Sequence, residues 1–412
     1  MADGAAAPPL PTQKTPGWEF TDLSGLDLDA YEPATDGDPE ARHRADAILN
    51  APESGAHLVQ VDGASVEGGV RDASGDGRPV EPLVAPLDAG LERFPHLREM
   101  LGHLVGRKDP FVARNDEAWR GGALVYVPRG KRLETPAQIA AVQDAEGLAT
   151  SFRTLIVVEE GAEAEVWEQW LATDSNPDAV FNTVTEIWVG PGASLRYVTA
   201  QGLGERSWVF ATQRAEVERD ASLDWVALGF GSSRGKVRME TRLAGRGSSA
   251  RVTGAYAGSG SQHLDFDTTQ EHAAPNTTSD LAFRGVLEES ATAVWRGMIR
   301  VDPGAQQTDA FQESRNLLLS KSSHADAIPG LEIEANDVRC THAAAVAQID
   351  AEQLHYLRSH GLPVEQAKRL IIEGFLEALV ERLEEGPVRA AVSVALERRL
   401  GEILGERLVQ PA

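Results

Sequence analysis

Cys340 is the only cysteine in the chain, and His342 follows it by two residues within the stretch Leu331 to Asp350, LEIEANDVRCTHAAAVAQID. A thiolate and an imidazole presented side by side offer two donors to a borderline-soft metal such as zinc or iron. Leu331, Ile333 and Ala335 alternate with Glu332, Glu334 and Asn336, the period of a strand with one apolar face. Residues two apart on a strand share a face, so Cys340 and His342 are expected to point the same way, about 7 Å apart. Two donors do not close a metal site. Either another chain completes it, or Cys340 is a small apolar side chain packed in a core.

Other stretches offer weaker chemistry. Gly231-Ser232-Ser233-Arg234-Gly235 fits the hydrolase pattern G-x-S-x-G with Ser233 as nucleophile, which needs a strand, a sharp turn and then a helix. Here Val237, Met239, Thr241 and Leu243 alternate, so a strand follows and a hairpin-like turn is expected instead. Gly235-Lys236 resembles the end of a phosphate-binding loop, but no glycine stands five positions before Gly235. Val237 also occupies the place of the magnesium-binding Ser/Thr. His263, Asp265 and Asp267 share one strand face and are read as a solvated polar face. His272 lies beside the turn at Pro275-Asn276 and is read as structural, and His324, His355 and His360 as surface residues.

The elements that must carry these residues change character along the chain. Residues 1 to about 37 are irregular, anchored by Trp18, Phe20 and Leu23. A short helix is expected over 39–49, a strand over 57–62, a loop over 63–78, and helices over Leu87–Val105 and Phe111–Trp119. From Ala123 to about Val346, short alternating segments recur between turn residues. Gly161-Ala162, Gly192-Ala193, Asp220-Ala221, Gly247-Ser248 and Ser290-Ala291 each open one, and the first four starts lie 31, 28 and 27 residues apart. Such loose periodicity is that of a β-solenoid, although an open sandwich gives similar strands. After Asp350 the pattern is helical. In the second helix Ala367, Leu370, Ile371, Phe375, Ala378, Leu379 and Leu383 form an apolar stripe, and a last helix runs to about Leu408. Three regions are expected: a mixed helical N-terminal part over 1–122, a β core over 123–350 and a helical part over 351–412.

Composition bounds the partners. A net charge of −24 argues against sequence-independent nucleic-acid binding and against docking on anionic membranes. One cysteine permits no internal disulfide. The start, MADGAAAPPLPTQKTPGW, lacks the features of a signal peptide, and no apolar run approaches bilayer-spanning length. The expectation is a cytoplasmic protein.

Asn316 to Leu362, NLLLSKSSHADAIPGLEIEANDVRCTHAAAVAQIDAEQLHYLRSHGL, resembles the C-terminal signature of the SufB/SufD family of iron–sulfur cluster assembly proteins. HAAPNTTSD (His272 to Asp280), RGMIRVDPGAQQTDAFQESRNLLL (Arg296 to Leu319), AKRLIIEGFLEALVERL (Ala367 to Leu383) and GWEFTDL (Gly17 to Leu23) fit as well. The resemblance is dense from about residue 155 onward and thin before it. SufB-type chains carry a cysteine at about the place of Ile333 and more in the solenoid, which this chain lacks, so the resemblance is to the SufD branch.

The resemblance implies a right-handed parallel β-helix flanked by an α/β N-terminal region and a helical C-terminal region. It implies pairing with a SufB solenoid, or self-pairing in isolation, and docking of the ATPase SufC on the C-terminal helices, for which Leu370, Ile371, Gly374, Phe375 and Leu379 are the candidates. It places Cys340 and His342 at the shared interface, where ATP-driven SufC dimerisation exposes them. A cluster takes about four protein ligands, mostly thiolates. The expectation is therefore a scaffold and not an enzyme, holding no stable cofactor and sharing a transient cluster with SufB. Alternatives are a purely structural subunit with Cys340 in the core, or a hydrolase using Ser233.

Overall fold

The computed structural model describes residues 7–34, 56–67 and 80–405. The helix expected over 39–49 lies outside them, as does the chain after residue 405. Four short strands come first: β1 (Glu32–Pro33), β2 (Ala56–Val61), β3 (Ala64–Glu67) and β4 (Leu83–Pro86). The body has two sheets. One contains β5 (Gly121–Val127), β7 (Leu148–Val158), β9 (Val180–Val189), β11 (Trp208–Val217), β13 (Arg234–Leu243), β15 (His263–His272), β17 (Thr292–Val301) and β19 (His324–Ile333). The other contains β6 (Ala137–Gln143), β8 (Glu163–Ala172), β10 (Ser194–Gly202), β12 (Ser222–Gly229), β14 (Ser249–Gly258), β16 (Thr278–Leu287), β18 (Asp309–Leu318) and β20 (Arg339–Gln348). The chain crosses between sheets at each corner, so neighbours within a sheet are parallel and the whole is a β-solenoid of about eight coils.

Corner chemistry sets the coil. Gly161, Gly192, Asp220, Gly247, Asn276 and Gln307 all take positive φ at equivalent corners, where glycine, Asn and Asp are the cheapest residues. Ser290-Ala291, expected as the fifth start of this series, follows Glu289 at the opposite corner and opens a strand of the other sheet. Parallel register stacks like positions into columns: Val237, Phe266, Trp295 and Ala327 are successive partners facing the lumen. Each buried aromatic there contributes about 2–3 kcal/mol of transfer free energy.

One end of the stack is closed. β4 pairs antiparallel with β5, and β3 pairs antiparallel with β2, which itself lies beside β6. Residues 64–67, expected within a loop, thus form a capping strand, while 68–79 lie outside the described residues. The helix expected over Leu87–Val105 is broken into α1 (Leu87–Arg93) and a 3-10 turn (Pro95–Glu99). Pro95 lacks the N–H that would continue the helix and pushes Phe94 out of helical geometry. Leu91, Phe94 and Leu97 are nevertheless buried, so their spacing did report a core face. α2 (Pro110–Ala118) begins where the Asp109 carboxylate accepts from the backbone N–H groups of Phe111 and Val112.

At the other end come α3 (Ala351–Ser359), α4 (Val364–Val380) and α5 (Pro387–Ile403). α4 and α5 fold back onto the outer face of the second sheet, where Ile372, Leu376, Val392 and Leu396 meet Val198, Val226, Ala255 and Ala282. The buried face of α4 is Ala367, Ile372, Leu376, Leu379 and Val380, rotated from the expected stripe. Leu379 is only 1% exposed and packs inside, unavailable to a partner, whereas Leu370 is 51% exposed.

The N-terminal segment crosses the outer face of the first sheet as a strap. Trp18 and Leu23 are buried as expected, with Trp18 5.3 Å from the Phe111 ring, but Phe20 is exposed. The strap covers the face expected to be solvated at His263, Asp265 and Asp267. Asp265 is buried, paired with Lys236 at 2.8 Å and accepting from the Thr21 hydroxyl. Arg296 pairs with Asp267 at 2.7 Å and donates to the Gly17 carbonyl at 3.0 Å.

His272 is fully buried between the hydroxyls of Thr277 and Ser279, each 2.8 Å from a ring nitrogen. Burial pushes its imidazole down to about 4. Between there and an ordinary histidine value of about 6.5 the unfolded chain binds the proton that the folded chain refuses, so this group's stabilisation is lost as pH falls through that window. In urea titrations the wild-type protein should lose stability more steeply below pH 6.5 than the His272→Gln variant. Parallel pH profiles would contradict this.

Candidate functional site

The solenoid is open at its C-terminal end. Among the described residues β19 and β20 each have a strand partner on one side only. Cys340 stacks on Ala310, His342 on Gln312, Ala344 on Ser314 and Val346 on Asn316, while Leu331 and Ile333 stack on Ile299 and Val301. Every one of those lower partners is buried. Among the described residues nothing lies over the same columns in the last coil, and Leu331, Ile333 and Val346 (43% exposed) stand in water at core positions. The strand also stops at Ile333: Ala335, expected within it, sits in the corner and, like Val338 and Cys340, packs against Ile299, Val301, Ala305 and Ala310.

Cys340 and His342 lie two apart on β20, in the inward columns at this open rim. Cys340 is half-buried against Ile299, Val301, Ala305 and Ala310. Burial, and secondly the charge of Asp309, pushes its thiol up, which keeps it protonated and weakly nucleophilic. His342 is exposed. Beneath it Gln312 donates from Nε2 to the carbonyls of Gly297 at 3.3 Å and Gly330 at 3.1 Å, fastening the last coil to the one below. No group of three or more His, Cys, Asp and Glu side chains that could hold a metal occurs among the described residues. Val346, read from the sequence only as the approximate end of the alternating segments, belongs to the same open rim. The alternation from Cys340 to Val346 was its only signal.

The other candidates are placed elsewhere. Ser233 sits at a corner between the two sheets, not in a hairpin, and its hydroxyl donates to the Ser207 carbonyl at 2.9 Å. β13 follows it, so the strand–turn–helix of a nucleophile elbow is not formed. Gly235 has a structural reason: at φ +149° a Cβ would lie 1.8 Å from the Val209 carbonyl oxygen. Lys236 is buried in its pair with Asp265. His324, His355 and His360 are exposed.

A second surface lies on the outer side of the helices. Tyr356 and Leu357 of α3 and Leu370 and Ile371 of α4 line a shallow groove of about 490 Å³, with Asp350 and Glu352 at its edge. Gly374 is exposed beside it, and Phe375 is half-buried with the Arg284 guanidinium 5.7 Å from its ring.

These features define a parallel β-solenoid capped at one end, with exposed core positions, a half-buried thiol and an exposed imidazole at the other. The model of the SUF system FeS cluster assembly SufBD core domain matches residues 141–375. The iron–sulfur cluster assembly protein SufD of Bacillus subtilis is 34% identical over 283 residues, covering 68% of this chain and 64% of that one. SufB of the same organism is 30% identical over 285 residues, covering 69% and 60%. A SufBD family protein of Staphylococcus epidermidis is 30% identical over 299 residues, covering 72% and 63%. The matched region thus spans a little under two thirds of each relative's length. The chain belongs to the SufB/SufD family of iron–sulfur cluster assembly proteins.

Proposed function

We propose that this chain is a SufD-type scaffold subunit of a cytoplasmic complex that builds iron–sulfur clusters. The observation that carries this is the open solenoid end, where Leu331 and Ile333 on β19 and Val346 on β20 stand exposed at inward positions of the same last coil as Cys340 and His342. A SufB-type solenoid placed end to end would cover the apolar side chains and continue the sheets, since free strand edges are templates for pairing. A nascent cluster, the cargo of the complex, would then sit at the seam. Cys340 and His342 supply two donors and the partner the rest, because about four are needed.

A SufC-type ATPase docks on the outward side of α4, at Leu370, Ile371, Gly374 and the edge of Phe375. Leu379, buried under the helix, takes no part in that contact. ATP-driven closure of two such ATPases would strain the seam and bare the thiol. A purely structural subunit is the second reading, favoured by the packing of Cys340 against Ile299 and Ala310.

The test is co-expression with SufB- and SufC-type partners, followed by iron and sulfide analysis of the purified complex. Cys340→Ala and His342→Ala are expected to leave the complex intact and lower its cluster content several-fold. Undiminished iron and sulfide in both variants would favour the structural subunit.

A further inference from the structure

Near the closed end of the solenoid, the outer side of the first sheet carries a groove of about 460 Å³ that the reading above does not use. Its floor is aromatic and apolar: half-buried Trp188 on β9, Tyr126 on β5, and Leu97 and Met100 from the turn after α1. The segment that supplies Leu97 and Met100 is fixed in advance by contacts just beyond the groove. The Glu186 carboxylate accepts from the backbone N–H groups of Gly102 at 2.7 Å and Leu104 at 2.9 Å, and buried Arg153 pairs with Glu186 at 2.9 Å. The His103 ring, from this segment, lies 5.5 Å from Trp188.

The rim is acidic. Glu159 accepts from the Tyr126 hydroxyl at 2.5 Å and from the Arg129 backbone N–H at 2.9 Å, and Glu160 pairs with the Arg129 side chain at 3.1 Å. Glu218, at the corner after β11, has no ion pair among the described residues. Three carboxylates therefore face one arginine. An anionic ligand is repelled, and a bare cation leaves the apolar floor unfilled. A guanidinium suits both features, because it is weakly hydrated, stacks on an indole face and donates to carboxylates.

We propose that this groove docks an extended, arginine-bearing peptide segment of a basic partner protein, with its guanidinium over Trp188 and paired with Glu218, and an aliphatic side chain against Leu97 and Met100. The site is independent of the open solenoid end and of α4, so its fate does not bear on the cluster-assembly reading.

The probe is a fluorescein-labelled Arg-Leu-Arg-Leu-Arg peptide, titrated onto the full chain by fluorescence anisotropy beside a Glu-Leu-Glu-Leu-Glu control. The arginine peptide is expected to bind and the glutamate peptide not. Glu218→Gln should weaken binding about fivefold and Trp188→Leu about tenfold, while Glu381→Gln on the remote helical region changes it less than about twofold. Should Trp188→Leu fail to fold, a benzophenone in the arginine peptide must cross-link wild-type protein at the segments holding Leu97–Met100 or Trp188. Equal losses from Glu218→Gln and Glu381→Gln, or cross-links spread over the surface, would mean that net charge alone attracts the peptide and overturn the site.

Discussion

Val346→Asp is expected to abolish pairing with a SufB-type partner while leaving the isolated chain folded. The side chain is 43% exposed at the open end, so an aspartate there stays hydrated in the free protein and costs little. In an end-to-end pair it would be enclosed with Leu331 and Ile333. A desolvated carboxylate without a partner costs several kcal/mol, enough to weaken association by roughly a hundredfold or more. Ala345→Asp, one residue earlier and on the opposite face of β20, is the control. Analytical size exclusion of co-expressed subunits reads the result. Wild-type pairing by Val346→Asp would remove the open end as the interface, and with it the shared cluster site. If the chain pairs with itself in isolation through the same columns, that dimer should dissociate too.

The solenoid was legible because its corners repeat a chemical demand. Gly161, Gly192, Asp220 and Gly247 mark one side of four successive coils, and the strands between them alternate. The pairing of Cys340 with His342 on one face was legible for the same reason. That their columns end in water was not, since alternation distinguishes two faces of a strand without saying whether another coil follows. The stripe on α4 was misplaced because that helix has apolar residues on both sides, and only the sheet beneath decides that Ile372 and Leu376 turn inward while Leu370 stays out. The break at Pro95 was local and readable; the regular spacing of Leu91, Phe94 and Leu97 concealed it. Asp265 was read as solvated because Thr21, which covers it, lies 244 residues away.

That long-range contact sets the second large effect. Lys236 and Asp265 have almost no solvent exposure, and the strap seals them: the Trp18 ring centroid lies 6.0 Å from the ammonium and 4.9 Å from the Arg238 guanidinium. Lys236→Met would leave the Asp265 carboxylate buried, with the Thr21 hydroxyl as its remaining side-chain donor. Removing one member of a buried pair destabilises by about 3–5 kcal/mol, more than the pair itself is worth, because the charge left behind is uncompensated. The loss should appear in urea unfolding and in faster proteolysis of the strap, whose attachment depends on Asp265 and Arg296. Lys236→Met combined with Asp265→Leu removes both charges and should recover most of the stability. A single variant as stable as the wild type would mean that the strap is held by Trp18 packing alone. A double variant no better than the single would mean that the Lys236 stem, not its charge, supports the face.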